Sequence, residues 1–417
     1  MATATSTISL RDLFKLKPFR RLWLAQLVSI FGDFLAIFGA ISLISFRLHG
    51  TPVQITAILI AYMLPLAVVG TLAGVFVDRW NVKRVLIASD LIRAVLALLL
   101  VFVTNLNSLY LIFFALSCVS SFFGPAQSVT LRTIVPMEGL LGANALMAQA
   151  FYSARVVAPA LAGALVAWLG EKSCFYLDSA SFVFSAAMIM ALVIVRPGAP
   201  QGTSSKTVNS LAHEFTVGVR FIFTHAALSF VMIAMTAAMF VLSCFSPLIS
   251  VYVRDFLRAG SVVFGVVSSL VGVGLIVGTQ MVTRLARSRS HSHISVTGLL
   301  GLGVSVAVLG FFQNTTLTGF STFGLGFAIA FILVPAQTLM QRETPHEMMG
   351  RVSSSFMSVL SLAQVLGLLL SGYLAQSLGI RNLFKASAVL LALLAGFGYF
   401  RLRETSRLQE APQESAS

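Results

Sequence analysis

Apolar side chains in this chain neither alternate nor keep to one helical stripe. They run on with few interruptions for 18 or more residues at a time. Such runs lie near 22–46, 53–77, 85–104, 108–131, 143–168 and 174–195, and again near 226–250, 262–285, 294–312, 317–340, 352–378 and 383–400. About 20 apolar residues in an α-helix cross the hydrocarbon of a bilayer, so each run predicts one transmembrane helix. Closed membrane barrels are excluded, because their strands alternate over about ten residues. The expected fold class is an all-α integral membrane protein with twelve transmembrane helices in two six-helix bundles.

Breaks in the pattern set the expected segments. Residues 1–21 form a basic N-terminal segment, 22–195 the first bundle, 196–225 a linker, 226–400 the second bundle and 401–417 a disordered tail. The linker opens Arg196-Pro-Gly-Ala-Pro200, a flexible composition. Its second part carries Leu211, Phe215, Val219 and Ile222 at helical spacing, which suits an amphipathic helix on the membrane surface. The first apolar run is too long for a signal-peptide core and lacks a cleavage site, so it is expected to be retained.

Composition sharpens this picture. Of the 417 residues, 57% are hydrophobic and 10% charged, against about a quarter charged in soluble proteins. A soluble globular protein is thereby excluded. The net charge of +14 would suggest nucleic acid in a soluble chain, but here the basic residues cluster at the ends of the apolar runs. Of the 28 Lys and Arg, 20 lie before the first run, after the even-numbered runs or in the tail; six lie on the opposite side; Arg93 and Arg155 fall within runs. The positive-inside rule then puts both termini in the cytoplasm. Cys118, Cys174 and Cys244 have unrelated spacings and suit packing. No metal pattern, phosphate-binding loop or nucleophile elbow occurs, so no cofactor, metal or enzymatic activity is expected.

An internal repeat relates the halves. Pro125-Ala126-Gln127, Arg132, Pro136, Glu138 and Gly142 recur as Pro335-Ala336-Gln337, Arg342, Pro345, Glu347 and Gly350, at offsets of 208 to 210. Leu161, Gly163 and Gly170 recur as Leu370, Gly372 and Gly379 at an offset of 209. With six spans between copies, each starts on the same side of the membrane, which makes a parallel repeat with a pseudo-two-fold axis along the membrane normal.

On these features the sequence resembles the major facilitator superfamily over essentially its whole length. Gly74-Val-Phe-Val-Asp78-Arg79-Trp-Asn-Val-Lys83-Arg84 is similar to that superfamily's cytoplasmic motif, with Asn81 and Val82 replacing its Gly-Arg. Phe19 to Trp23, Ser29 to Asp33, Ser89 to Arg93, Phe123 to Ala126, Ala143-Asn144 and Gln341 to Val352 resemble the third drug:proton antiporter family, which holds macrolide-efflux and enterobactin-exporter relatives. Ala158-Pro159 replaces that group's Gly-Pro, and span 4 lacks the basic residue of other drug antiporters.

Charge deep in a span is costly and marks function by default. Asp33 and Arg155 lie near the midplane of spans 1 and 5, and are expected to carry proton coupling, Arg155 tuning Asp33. Gly74, Asp78, Arg79, Lys83, Arg84, Asp90 and Arg93 are assigned to a cytoplasmic gate. Asp178, close to the outer end of span 6, is expected to be solvated or capping. The second half has no deep charge; Gln127, Gln337 and Gln364 are the polar candidates for a substrate cavity, expected between the bundles near the midplane. Gly70-x-x-x-Gly74 and Gly274-x-x-x-Gly278 are expected to serve packing.

The expected function is export of an amphipathic or hydrophobic small molecule in exchange for protons, by a monomer of the inner membrane. Its partners would be the lipid bilayer, the substrate and protons, with no nucleic acid. A lysophospholipid or siderophore transporter is the nearest alternative. A membrane enzyme acting on lipids, or a non-transporting sensor, is the alternative from another class.

Overall fold

The computed structural model describes residues 9–192, 208–286, 290–345 and 348–410. The side chains of some helical positions, among them Asp78, Arg79 and 401–410, also fall outside the described set, as do the surroundings of Gly74. Among the described residues, twelve helices are long and apolar enough to cross a membrane, and no strand occurs. The chain is all-α.

Contacts divide it into two compact units. Met1–Gly50, Ala57–Thr203 and Ala259–Ser269 form the first; Thr51–Thr56, Ser204–Arg258 and Leu270–Ser417 form the second. The helices of the first half are α1 (Leu10–Lys15), α2 (Lys17–Ser42), α3 (Pro52–Arg79), α4 (Val82–Leu99), α5 (Leu106–Ile134), α6 (Leu140–Leu169) and α7 (Lys172–Met190). Those of the second are α8 (Val208–Thr224), α9 (Ala226–Asp255), α10 (Ser261–Leu285), α11 (His291–Phe311), α12 (Thr315–Glu343), α13 (Met349–Leu378) and α14 (Ile380–Glu410).

The first unit is built on α2, which packs against α6 and α7, while α4 packs against α5 and α7. In the second, α9 packs against α13, and α11 against α12 and α14. The pairings α2·α6, α4·α5 and α4·α7 thus recur as α9·α13, α11·α12 and α11·α14. The repeat also governs the local signals. Asn105 and Asn314 cap α5 and α12, accepting hydrogen bonds from Ser108 N and from Thr316 N and Leu317 N. Gly170 and Gly379 end α6 and α13 at φ of 79° and 81°, a conformation that only glycine adopts cheaply.

Serines bond the backbone beside prolines within helices. Pro65 has no N–H to offer inside α3, and Ser117 and Ser121 of α5 donate to the Tyr62 and Pro65 carbonyls. In α6, the Ala160 N–H beside Pro159 donates to Ser269 Oγ at 3.0 Å. Gly274 and Gly278 let α10 approach α12 closely: a β-carbon at Gly278 would lie 2.7 Å from Phe327 O. Gly70, by contrast, faces open space.

Several segments differ from the sequence reading. Of the expected linker, 196–207 lies outside the described residues and the remainder is α8, packed on α13 with Ile222 fully buried. The expected tail is helical as far as Glu410, because Leu402, Arg403, Glu404, Arg407 and Leu408 all favour helix. Residues 411–417 lie outside the described set. The basic N-terminal segment is partly ordered: Leu13 of α1 is buried, and a β-carbon at Gly142 of α6 would touch it at 3.0 Å. Trp23 Nε1 donates to Leu146 O at 3.1 Å, fastening α2 to α6 as well. The three cysteines are free thiols, Cys174 and Cys244 buried.

Candidate functional site

Three helices of the first unit bring charge together away from water. Arg93 is eleven residues into α4, about 16 Å along it at 1.5 Å per residue. Its Nη2 donates to Asp90 Oδ1, one helical turn back, and its Nη1 lies 4.0 Å from Asp33 Oδ2 on α2. The side chains of Arg93 and Asp90 are 4% and 0% exposed, whereas Asp33 is 24% exposed. Asp33 is therefore the accessible end of an otherwise buried chain of charge.

Aromatic rings hold the guanidinium in place. Its carbon lies 4.5 Å from the Phe123 ring centroid and 4.3 Å from that of Phe182, distances at which a cation is attracted to the ring face. A second carboxylate arrives from α7: Asp178, 1% exposed, lies against Gly32, where a β-carbon would be 2.7 Å from its Oδ1. Only glycine at this position lets α2 and α7 approach so closely. Tyr62 of α3 is within electrostatic reach of Asp33, Arg93 and Asp178. Asp90 Oδ2, Arg93 Nε and Asp178 Oδ1 are buried without a hydrogen-bond partner among the described residues, so the cluster has unused donor and acceptor capacity where such capacity is costly.

This arrangement corrects the sequence reading in three places. The cation beside Asp33 is Arg93, not Arg155. Arg155, midway along α6, is exposed and has no ion pair among the described residues. Spacing alone assigns Asp90 and Arg93 to a gate, whereas α4 carries them inward from Val82 to meet Asp33. Spacing likewise makes Asp178 solvated or capping, yet seven residues of α7 are enough to bury it against α2. Tyr62 and Phe182 have no mark in the sequence, because an aromatic residue in an apolar span gives no signal of its own; Phe123 is marked only as part of a family-like segment.

The remaining candidates are dispersed. The side chains of Asp78 and Arg79 and the surroundings of Gly74 lie outside the described residues. Lys83 donates to Met190 O at 2.8 Å and Leu192 O at 2.7 Å, which closes the C-terminal end of α7. Arg21 adds a bond to Ala191 O at 2.5 Å. Asn81, which departs from the family's glycine, caps α4 by accepting from the Arg84 N–H at 3.2 Å. Gln127 reaches Met147 Sδ at 3.5 Å, Gln364 reaches Met239 Sδ at 3.2 Å, and Gln337 is exposed. No described contact joins the three glutamines.

Twelve spans, repeated packing and a charge cluster buried in a chain of such low charge define a membrane transporter of the major facilitator type. The chain belongs to the transmembrane secretion effector family within it, whose model matches residues 10–416. It is 26% identical to the uncharacterized MFS-type transporter YfiS of Bacillus subtilis (strain 168), over 89% of each chain. It is also 26% identical to the multidrug efflux pump Tap of Mycolicibacterium fortuitum, over 85% of this chain and 89% of Tap. Among solved structures, a point mutant of the nucleoside transporter NupG shares the fold with a TM-score of 0.72 at 13% identity, over 93% of this chain and 99% of that one. The chain is a multi-pass membrane transporter and not an enzyme.

Proposed function

We propose that this transporter exports an amphipathic or hydrophobic small molecule in exchange for protons, by alternating access. The observation that carries the reading is the accessible Asp33 carboxyl backed by the buried Arg93–Asp90 pair and by Asp178. Two carboxyl groups share one guanidinium with a third close by, and in a weakly polar interior that excess of negative charge is relieved most simply by a proton. A proton on Asp33 weakens its hold on Arg93, leaving the guanidinium to Asp90. Its loss restores the attraction. A conformational change that alters the exposure of Asp33 would then load and release the proton on opposite sides.

The drug-like substrate class is supported by the likeness to Tap and by the 34 Phe and 14 Met residues, which suit an adaptable apolar pocket. The same reading has the protein act as a monomer in the inner membrane with both termini in the cytoplasm, and assigns a cytoplasmic gate to Gly74, Asp78, Arg79, Lys83 and Arg84. Arg155 remains a candidate for substrate contact. The test is substrate-induced proton release from detergent-solubilised protein, measured over a panel of lipophilic cations and macrolides. Wild type is expected to release protons with at least one of them, and Asp33→Asn to release none while still binding it. Equal release by the variant would move coupling away from Asp33.

A further inference from the structure

The repeat permits a position-by-position comparison at the end of the spans opposite Lys83 and Arg84. Its register of 209 residues is fixed there at four places. Among the described residues, the non-glycine residues of positive φ are His49 and Arg258; helix caps are Asn105 and Asn314; the glycines between α6 and α7 and between α13 and α14 are Gly170 and Gly379; and extended residues following α4 and α11 are Val103 and Phe312. All four pairs enclose the same spot.

In the second unit that spot is filled. Tyr252 stacks near Phe256 and Phe384, with ring centroids 5.5 and 5.9 Å apart, and its hydroxyl donates to Phe312 O at 2.7 Å. Arg381 donates to Gly310 O at 3.0 Å and Phe311 O at 2.9 Å, satisfying the end of α11. In the first unit the counterparts of Tyr252, Phe256, Phe312 and Arg381 are Leu43, Arg47, Val103 and Lys172. Smaller side chains leave a cavity of about 270 Å³ among α2, α4, α5 and α7. Arg47 pairs with Glu171 across 3.5 Å. Lys172 has no acceptor among the described residues, and the Val101 and Phe102 carbonyls lack the side-chain donor that their counterparts have.

We propose that this cavity binds the head group of an anionic phospholipid. The spans end here, so the cavity is at head-group depth. Its walls are mainly apolar, from Leu43, Val103 and Phe175, and suit the first part of an acyl chain. Arg47 and Lys172 outnumber Glu171, leaving one cation to meet a phosphate. The Val101 and Phe102 carbonyls would accept from a head-group hydroxyl.

The experiment is native mass spectrometry of the purified full-length protein, titrated with phosphatidylglycerol or with phosphatidylcholine of the same chains. Wild type is expected to retain phosphatidylglycerol several-fold better. Lys172→Gln should reduce that preference about fivefold, the factor expected for one basic residue at a charged lipid surface. Leu43→Tyr combined with Val103→Phe, which copies the filled unit, should abolish it. Melting curves verify that the variants fold, and Lys172→Gln, an exposed substitution, keeps the test valid if the filled variant does not. Equal retention of the two lipids, or a phosphatidylglycerol preference unchanged in Lys172→Gln, would overturn the proposal.

Discussion

Replacing Arg93 by glutamine would remove the guanidinium that Asp90 and Asp33 share. That guanidinium is 4% exposed and bonded to an Asp90 that is fully buried, and breaking such a pair by deleting one partner costs about 3–5 kcal/mol. Attraction across the 4.0 Å to Asp33 adds a gross term of about 4 kcal/mol at an effective dielectric of 20, most of it offset by rehydration of the partly exposed Asp33. The two ring contacts, about 0.5–2 kcal/mol each, are part of that truncation cost and not additional to it. A net loss of about 3–5 kcal/mol is expected for Arg93→Gln. For a cooperative unit of about 200 residues, each kcal/mol shifts the melting temperature by about 2–4 °C. The variant should therefore melt on the order of 10 °C below wild type in detergent.

The double variant Asp90→Asn/Arg93→Gln distinguishes this cause from loss of packing. It leaves one uncompensated carboxylate fewer, so it should recover about 1–3 kcal/mol relative to Arg93→Gln alone. The assay is thermal denaturation of purified protein at one pH, with wild type, both single variants and the double compared. Additive losses in the double, or an Arg93→Gln variant within about 2 °C of wild type, would refute the charge-cluster argument.

Lys83→Gln should cost about 1–2 kcal/mol by exposing two carbonyls at the end of α7, seen as faster hydrogen exchange confined to the last turn of that helix. Gly170→Ala and Gly379→Ala should each cost about 1–3 kcal/mol, since both φ values are positive; equal melting temperatures for variant and wild type would contradict this. Gly32→Val would drive a side chain into Ser181 and Asp178, and is expected to separate α2 from α7 and abolish transport, read as loss of substrate-dependent proton release. A reporter fused after Ser417 should be active only in the cytoplasm and one inserted at Asn107 only outside; the reverse would overturn the orientation.

The twelve spans and the repeat could be read from the amino-acid sequence because their causes are local. A run of apolar residues long enough to cross hydrocarbon must be helical there, since lipid offers its backbone no partner. Asn105 and Asn314 cap, and Gly170 and Gly379 stop, through bonds and backbone angles within a few residues. Depth was legible for Asp33 and Arg155, since a helix rises about 1.5 Å per residue and both lie well inside their spans, whereas spacing assigns Arg93 to the cytoplasmic end of its span. What the sequence could not supply was azimuth. Which cation meets Asp33 depends on how α2, α4 and α7 rotate about their own axes, and that is decided by side-chain packing between helices distant in sequence. Gly32 admits α7 and brings Asp178, Phe123 and Phe182 bracket Arg93, and Arg155 is left exposed on α6. The cavity beside Lys172 has the same origin, for it exists only because Leu43 and Val103 fail to fill the space that Tyr252 and Phe312 occupy in the other unit.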